Sequence, residues 1–142
     1  MEPFKILLVD DDAEDRAIFK DAMELIFAGD IIHFAENGEQ ALAILENRFL
    51  NHQMPCLVVL DLNMPKLNGT ETLRRIKSNE RLKNVSVVIY STSINPLEKE
   101  KCMNLGAHSF FTKPVSFSES RLIAQKLLAF CTSDHFTGIK AE

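Results

Sequence analysis

Four apolar runs in this 142-residue chain each end in side chains that could act together on a charged substrate. Asp10 and Asp11 follow Phe4 to Val9, Asp61 follows Cys56 to Leu60, Ser91 and Thr92 follow Val85 to Tyr90, and Lys113 follows His108 to Thr112. Three carboxylates brought together repel one another and raise each other's pKa unless a cation intervenes. A hard divalent cation meets that need, and a donor set of oxygens without His or Cys suits Mg²⁺ better than Zn²⁺. Each piece also has an ordinary structural use. Asp after a strand caps helices and forms turns, Ser91 could satisfy a strand-end backbone group, and Lys113 could be a solvated lysine. Three Asp in a row, Asp10-Asp11-Asp12, exceed what one helix cap needs. The coincidence of all these groups on one edge is the argument for a site.

That coincidence depends on the elements between them. The run into Asp10 has little alternation, as expected of a strand buried on both faces, and Cys56-Leu57-Val58-Val59-Leu60 reads as a central parallel strand. Ile31 to Ala35, Val85 to Tyr90 and His108 to Thr112 complete five strands. Helical spacing follows each of them. Ile18, Ala22, Leu25 and Ile26 recur between Ala13 and Ala28, with Asp12 as N-cap and Gly29 as the stop. Asn37-Gly38 opens a helix carrying Ala41, Leu42 and Leu45 to about Arg48, with a loop from Phe49 to Pro55. Asn68-Gly69-Thr70-Glu71 caps one with Leu73, Ile76 and Lys77, and Asn95-Pro96 opens one that Gly106 closes. Ser116-Phe117-Ser118-Glu119 is a capping box ahead of Leu122, Ile123, Lys126, Leu127 and Phe130. Five strand-then-helix repeats predict an α/β fold, a five-stranded parallel sheet doubly wound with five helices. In the order 2-1-3-4-5 the first and third strands are neighbours, so Asp10, Asp11 and Asp61 converge where such sheets bind ligands.

Composition narrows the function classes. The chain carries 20 Asp+Glu against 16 Lys+Arg, a formal charge of −4, and has no basic stripe, which disfavours nucleic acid as a partner. No apolar run approaches a membrane span, and the Met1-Glu2-Pro3-Phe4-Lys5 start leads too soon into acidic residues for a signal peptide. Cys56, Cys102 and Cys131 are odd in number and far apart, which implies neither a disulfide framework nor a zinc site and fits a reducing cytoplasm. The expected organisation is one domain over 1–132 and a flexible tail over 133–142, with no output domain.

The chain resembles the receiver domains of two-component response regulators, the stand-alone chemotaxis receiver type included. The resemblance runs over about residues 4 to 132 and is carried by Ile6-Leu7-Leu8-Val9-Asp10-Asp11, Val58 to Pro65 with Asn68-Gly69, Val88-Ile89-Tyr90-Ser91-Thr92, Leu105-Gly106-Ala107 and Phe111-Thr112-Lys113-Pro114. It implies that Asp61 accepts a phosphoryl group from a histidine kinase or a phosphotransfer protein. Asp11 and Asp61 would ligate Mg²⁺ directly, Asp10 through water, and Asn63 through its backbone carbonyl. Ser91 would hydrogen-bond the phosphoryl oxygens and Lys113 would neutralise one of them. Phe110 stands at the family's aromatic switch position without a phenolic hydroxyl, and Asn63 and Ser93 where the family tunes hydrolysis. The Lys113-Pro114 bond would be cis. The extended loop before the third strand is similar to regulators that partner phytochrome-type kinases. The output surface would be the fourth helix, fifth strand and fifth helix, near Phe110, Phe111 and Phe117, with an unidentified downstream protein or a second copy as partner.

Two other readings use the same residues. A haloacid-dehalogenase-like phosphatase also has a strand-end Asp nucleophile, Mg²⁺ and a Lys, but places a second Asp where this chain has Asn63. A pseudo-receiver used only for contacts would be expected to have lost some of Asp10, Asp11, Asp61, Ser91 and Lys113. A P-loop is absent, since no G-x-x-x-x-G-K-[ST] occurs.

Overall fold

In a computed structural model the backbone is described over residues 5–26, 29–92 and 95–140, with side chains there except at 29 and 132–140. Strands β1 (Ile6–Val9), β2 (Ile32–Ala35), β3 (Leu57–Leu60), β4 (Ser86–Ser91) and β5 (Ser109–Thr112) form one parallel sheet in the order β2-β1-β3-β4-β5. Helices α1 (Ala13–Leu25), α2 (Gly38–Leu50), α3 (Gly69–Ser78), α4 (Pro96–Leu105) and α5 (Phe117–Lys140) connect and follow them. The sheet is the α/β architecture that the apolar runs imply.

Both sheet faces are buried, which explains why β1 and β3 are apolar throughout. Alternate side chains divide between two cores. Leu7, Val9, Val58, Leu60, Val87 and Ile89 pack with Ala41, Leu45, Leu73 and Ile76 of α2 and α3. Ile6, Leu8, Val59, Val88 and Tyr90 pack with Phe19, Ala22 and Met23 of α1 and with Ala124, Leu127 and Cys131 of α5. Each fully buried Leu or Ile contributes roughly 1.5–3 kcal/mol.

The helix starts follow the capping signals. Asp12 Oδ1 accepts from the N–H groups of Glu14 and Asp15, Asn37 from Gln40, Asn68 from Glu71, and Asn95 from Leu97 and Glu98. Gly106 ends α4 at φ 112°, a left-handed conformation that glycine adopts without a Cβ penalty. Several boundaries and faces differ from the sequence expectation. The strand expected from Ile31 begins at Ile32, after a short 3₁₀ turn over Gly29–Ile31. The first helix ends at Leu25 with Ile26 as its cap, four residues before Gly29. It buries Phe19, Ala22 and Met23 and leaves Ile18 and Leu25 exposed, because α1 packs against α5 on that side. Phe49 and Leu50, expected in a loop, extend α2 by a half-turn. On α5 the buried line is Ser120, Ala124, Leu127 and Cys131, and Leu122 is exposed. Small side chains there let the two helices approach.

The cysteine reading is also corrected. Cys56, just ahead of β3, and Cys131 on α5 form a disulfide with their Cα atoms 5.8 Å apart, and Cys102 stays free and buried. A separation of 75 residues carries no local signature, and only the packing of α5 over the sheet brings the pair together. The Lys113–Pro114 bond is trans, like every peptide bond among the described residues, the isomer favoured even before proline. No helix of the described residues is long and apolar enough to cross a membrane. The expected flexible tail over 133–142 overlaps α5, whose helical backbone runs to Lys140, while residues 141–142, Phe4 and Ser93 lie outside the described residues.

Candidate functional site

The sheet ladder continues past the strand ends and holds the site's backbone in place. Asp10 N–H donates to Ala35 C=O (3.0 Å), Asp61 N–H to Val9 C=O (3.0 Å) and Lys113 N–H to Ser91 C=O (2.9 Å). The five strands thus place Asp10, Asp61, Ser91 and Lys113 on one edge. The side chains then close in: Asp10, Asp11 and Asp61 each offer a carboxylate oxygen, all within 4.8 Å of one another. Asp10 and Asp61 are buried while Asp11 is exposed, so the cluster is open to solvent on one side. Three converging carboxylates open to solvent fit a hard divalent cation.

Lys113 is the cation present among them. Its side chain is 9% exposed, and its Nζ donates to Asp10 Oδ2 (2.7 Å) and Asp15 Oδ2 (2.9 Å), with Asp61 Oδ1 farther off at 3.7 Å. Burial alone would pull the Lys113 pKa down. The hydrogen bonds to Asp10 and Asp15 outweigh it and hold the ammonium above its ordinary range. Burial pushes the Asp61 carboxyl up to about 6. Lys113 and the Asn63 N–H, which donates to Asp61, oppose that rise, and Asp10 and Asp11 add to it. Burial also raises Asp10, against the hydrogen bonds from Lys113 and the Asp12 N–H. Charge among these groups is incompletely balanced without a further cation.

Ser91 ends β4 with its side chain fully buried, and its Oγ has no hydrogen-bond partner. A buried hydroxyl without a partner costs about 1–3 kcal/mol, so its presence needs a reason. Alternation along β4 puts Ser91 on the face of Val87 and Ile89, the face against which Phe110, opposite Ile89 on β5, is half-buried. Phe111 faces the other core. Phe110 therefore lies on the Ser91 face of the sheet, apart from the carboxylates.

The loop after β3 owes its course to Gly69. The Gly69 N–H donates to Leu62 C=O (3.0 Å), and the first turn of α3 lies so close to the backbone of Asp61 and Leu62 that a Cβ at position 69 would collide with both. The obstruction is main chain and cannot rotate away. We expect Gly69→Ala to cost about 1–3 kcal/mol of stability and to weaken divalent-cation binding at Asp61. A urea titration and a metal titration check this, and a variant as stable as the parent would show that the loop can shift.

Sequence reasoning missed Asp15 and Arg16. Asp12 takes the cap, which places Asp15 in the first turn of α1 facing Lys113, and Arg16 Nη1 donates to Asp10 C=O at 2.7 Å. The spacing from the cap could have signalled Asp15. An acidic first-turn residue is, however, equally explained by the helix dipole.

Residues 6–125 match the model of the response regulator receiver domain. The chain is 30% identical over 127 residues to the probable methanogenesis regulatory protein FilR2 of Methanothrix harundinacea, covering 89% of this chain and 82% of that one. Its fold is similar to that of the phosphorylated cyanobacterial phytochrome response regulator RcpA, with a TM-score of 0.81 and 31% identity over 94% of this chain and 96% of that one. It is also similar to the Mn²⁺-bound form of response regulator Rcp1 from Synechocystis, with a TM-score of 0.75 and 29% identity over 90% and 94% of the two chains. The strand order, the acidic edge and a family match spanning most of the sequence agree, and the chain belongs to the response regulator receiver domain family of two-component signalling.

Proposed function

We propose that the chain is phosphorylated on Asp61 by a histidine kinase or phosphotransfer protein and passes the signal on through a changed surface. The observation that carries this reading is the convergence of Asp10, Asp11 and Asp61 beside Lys113. An Asp61 oxygen attacks the phosphorus of a phosphohistidine, the O–P bond forms, and the P–N bond breaks with return of the electron pair to the imidazole. Asp10, Asp11, Asp61 and the backbone carbonyl of Asn63 would hold Mg²⁺, which when bound neutralises charge on the phosphoryl oxygens. Lys113 neutralises another of those oxygens. Ser91 Oγ, buried and unpartnered, donates to a third. Similarity to phytochrome-associated regulators favours a phytochrome-type kinase as donor.

Movement of Ser91 toward the phosphoryl group would vacate space on the face shared with Phe110, so Phe110 turns inward and α4, β5 and α5 present a different surface. Val115, Phe117 and Leu122 expose apolar area on that side and suit a protein partner, a second copy of the chain among the candidates. The test is mass spectrometry after incubation with acetyl phosphate. A Mg²⁺-dependent adduct of about 80 Da, absent in Asp61→Asn, supports the acceptor role. Amide exchange over residues 95–130 should then differ between the adduct and the free protein. If neither acetyl phosphate nor beryllofluoride combines with protein that demonstrably binds Mg²⁺, the pseudo-receiver reading replaces this one.

A further inference from the structure

We infer that Asp15 is a positioning residue that holds the Lys113 ammonium back toward α1, so that a phosphoryl group on Asp61 must draw it away from that helix. The inference rests on Asp61 being the acceptor. Lys113 Nζ makes short contacts with Asp10 Oδ2 (2.7 Å) and Asp15 Oδ2 (2.9 Å), whereas Asp61 Oδ1 lies at 3.7 Å, beyond hydrogen-bond range. The ammonium is therefore shared between the sheet and the first turn of α1, and the acceptor is the most distant of its three anionic neighbours.

The two short partners differ in what else they do. Asp10 is 1% exposed, accepts the Asp12 N–H on Oδ1 (3.0 Å), and belongs to the carboxylate cluster. Asp15 stands outside that cluster, with its side chain 33% exposed, and the Asp12 cap fixes its turn. Its carboxylate competes with any anion arriving on Asp61 for the same ammonium. The consequence is a set point: Asp15 weakens capture of a phosphoryl group while keeping Lys113 from competing with a cation at Asp61. Removing the Asp15 charge should shift the two affinities in opposite directions.

The experiment measures Mg²⁺ affinity alone, and then beryllofluoride affinity at saturating Mg²⁺, for the parent chain, Asp15→Asn, Asp15→Ser and Glu14→Gln. Glu14 is exposed in the same turn, so its variant reports the effect of one charge at that place. In both Asp15 variants we expect beryllofluoride to bind on the order of tenfold tighter, the scale of one charge-assisted hydrogen bond no longer competing. Mg²⁺ alone should bind more weakly, and Glu14→Gln should change either value less than about twofold, as expected of a solvated charge. Equal behaviour of Asp15→Asn and Glu14→Gln would reduce Asp15 to bulk charge and overturn the inference. So would looser binding of both ligands, which would mean damage to the site. If the parent chain binds Mg²⁺ but no beryllofluoride, the acceptor reading falls and takes this inference with it.

Discussion

In EDTA at pH 7, Asp61→Asn should be more stable than the parent chain by about 2–3 kcal/mol. The folded protein holds a proton on Asp61 up to about pH 6, chiefly because the group is buried, whereas the unfolded chain releases it near 3.8. Between those values the folded form binds more protons, so stability falls as pH rises through the window. The penalty is complete above about pH 6 and gone below about pH 4. Metal-free parent protein should therefore grow more stable from pH 7 to pH 5. The variant should respond less, keeping the parallel contribution of Asp10, whose carboxyl burial also raises, and the opposing one of His33, whose imidazole burial holds below its ordinary pKa. Mg²⁺ at about a thousand times its Kd should reverse the order, because at that level it adds about 4.1 kcal/mol to the form that binds it. Urea midpoints at the two pH values, with EDTA and with Mg²⁺, provide the check. A lower midpoint for the variant in EDTA would contradict the burial penalty on the Asp61 carboxylate.

Reduction of the Cys56–Cys131 disulfide should lower stability by about 2–4 kcal/mol, with chain entropy setting a ceiling near 4.5 kcal/mol for a loop of this length. The bond encloses β3, α3, β4, α4, β5 and α5 as far as Cys131, and without it the unfolded chain regains freedom that the cross-link had removed. The urea m-value should rise as well, since a cross-linked unfolded chain exposes less surface. Cys56 precedes β3 and the carboxylates follow the strands, so the bond lies at the opposite edge of the sheet. Mg²⁺ affinity should accordingly be unchanged on reduction. Thiol counts in denaturant, one before and three after reduction, establish the states compared. An unchanged midpoint between them would show that the bond constrains nothing.

β1 and β3 were legible because burial on both faces leaves four- or five-residue apolar runs, too short for a helix, that end at once in Asp. The helix starts were legible because Asp12, Asn37, Asn68 and Asn95 accept from N–H groups only two or three residues away. What failed is decided at long range. Ile18-Ala22-Leu25 and Phe19-Ala22-Met23 both fit a helical face, and the choice was made by the packing of α1 on α5. The same packing selects Ala124 over Leu122, and the packing of α5 over the sheet joins Cys131 to Cys56. At the site, the acidic edge could be read from strand ends and strand order. The share of Lys113 taken by Asp15 could not, since it depends on the angle at which α1 leaves β1.

Tyr90 brings a practical consequence. It is the sole tyrosine in a chain without tryptophan, so all useful ultraviolet emission comes from one ring. That ring sits one residue before Ser91, edge-on to Phe19 at 5.8 Å, with the Lys113 ammonium 5.9 Å from its centre. Burial pushes its hydroxyl up to about 12, so it stays protonated across the working range and titration does not disturb the signal. Any displacement of Lys113 changes the charge standing over the fluorophore. The protein thus carries its own optical gauge of the site, and a ligand that displaces Lys113 should change the tyrosine intensity of unlabelled material.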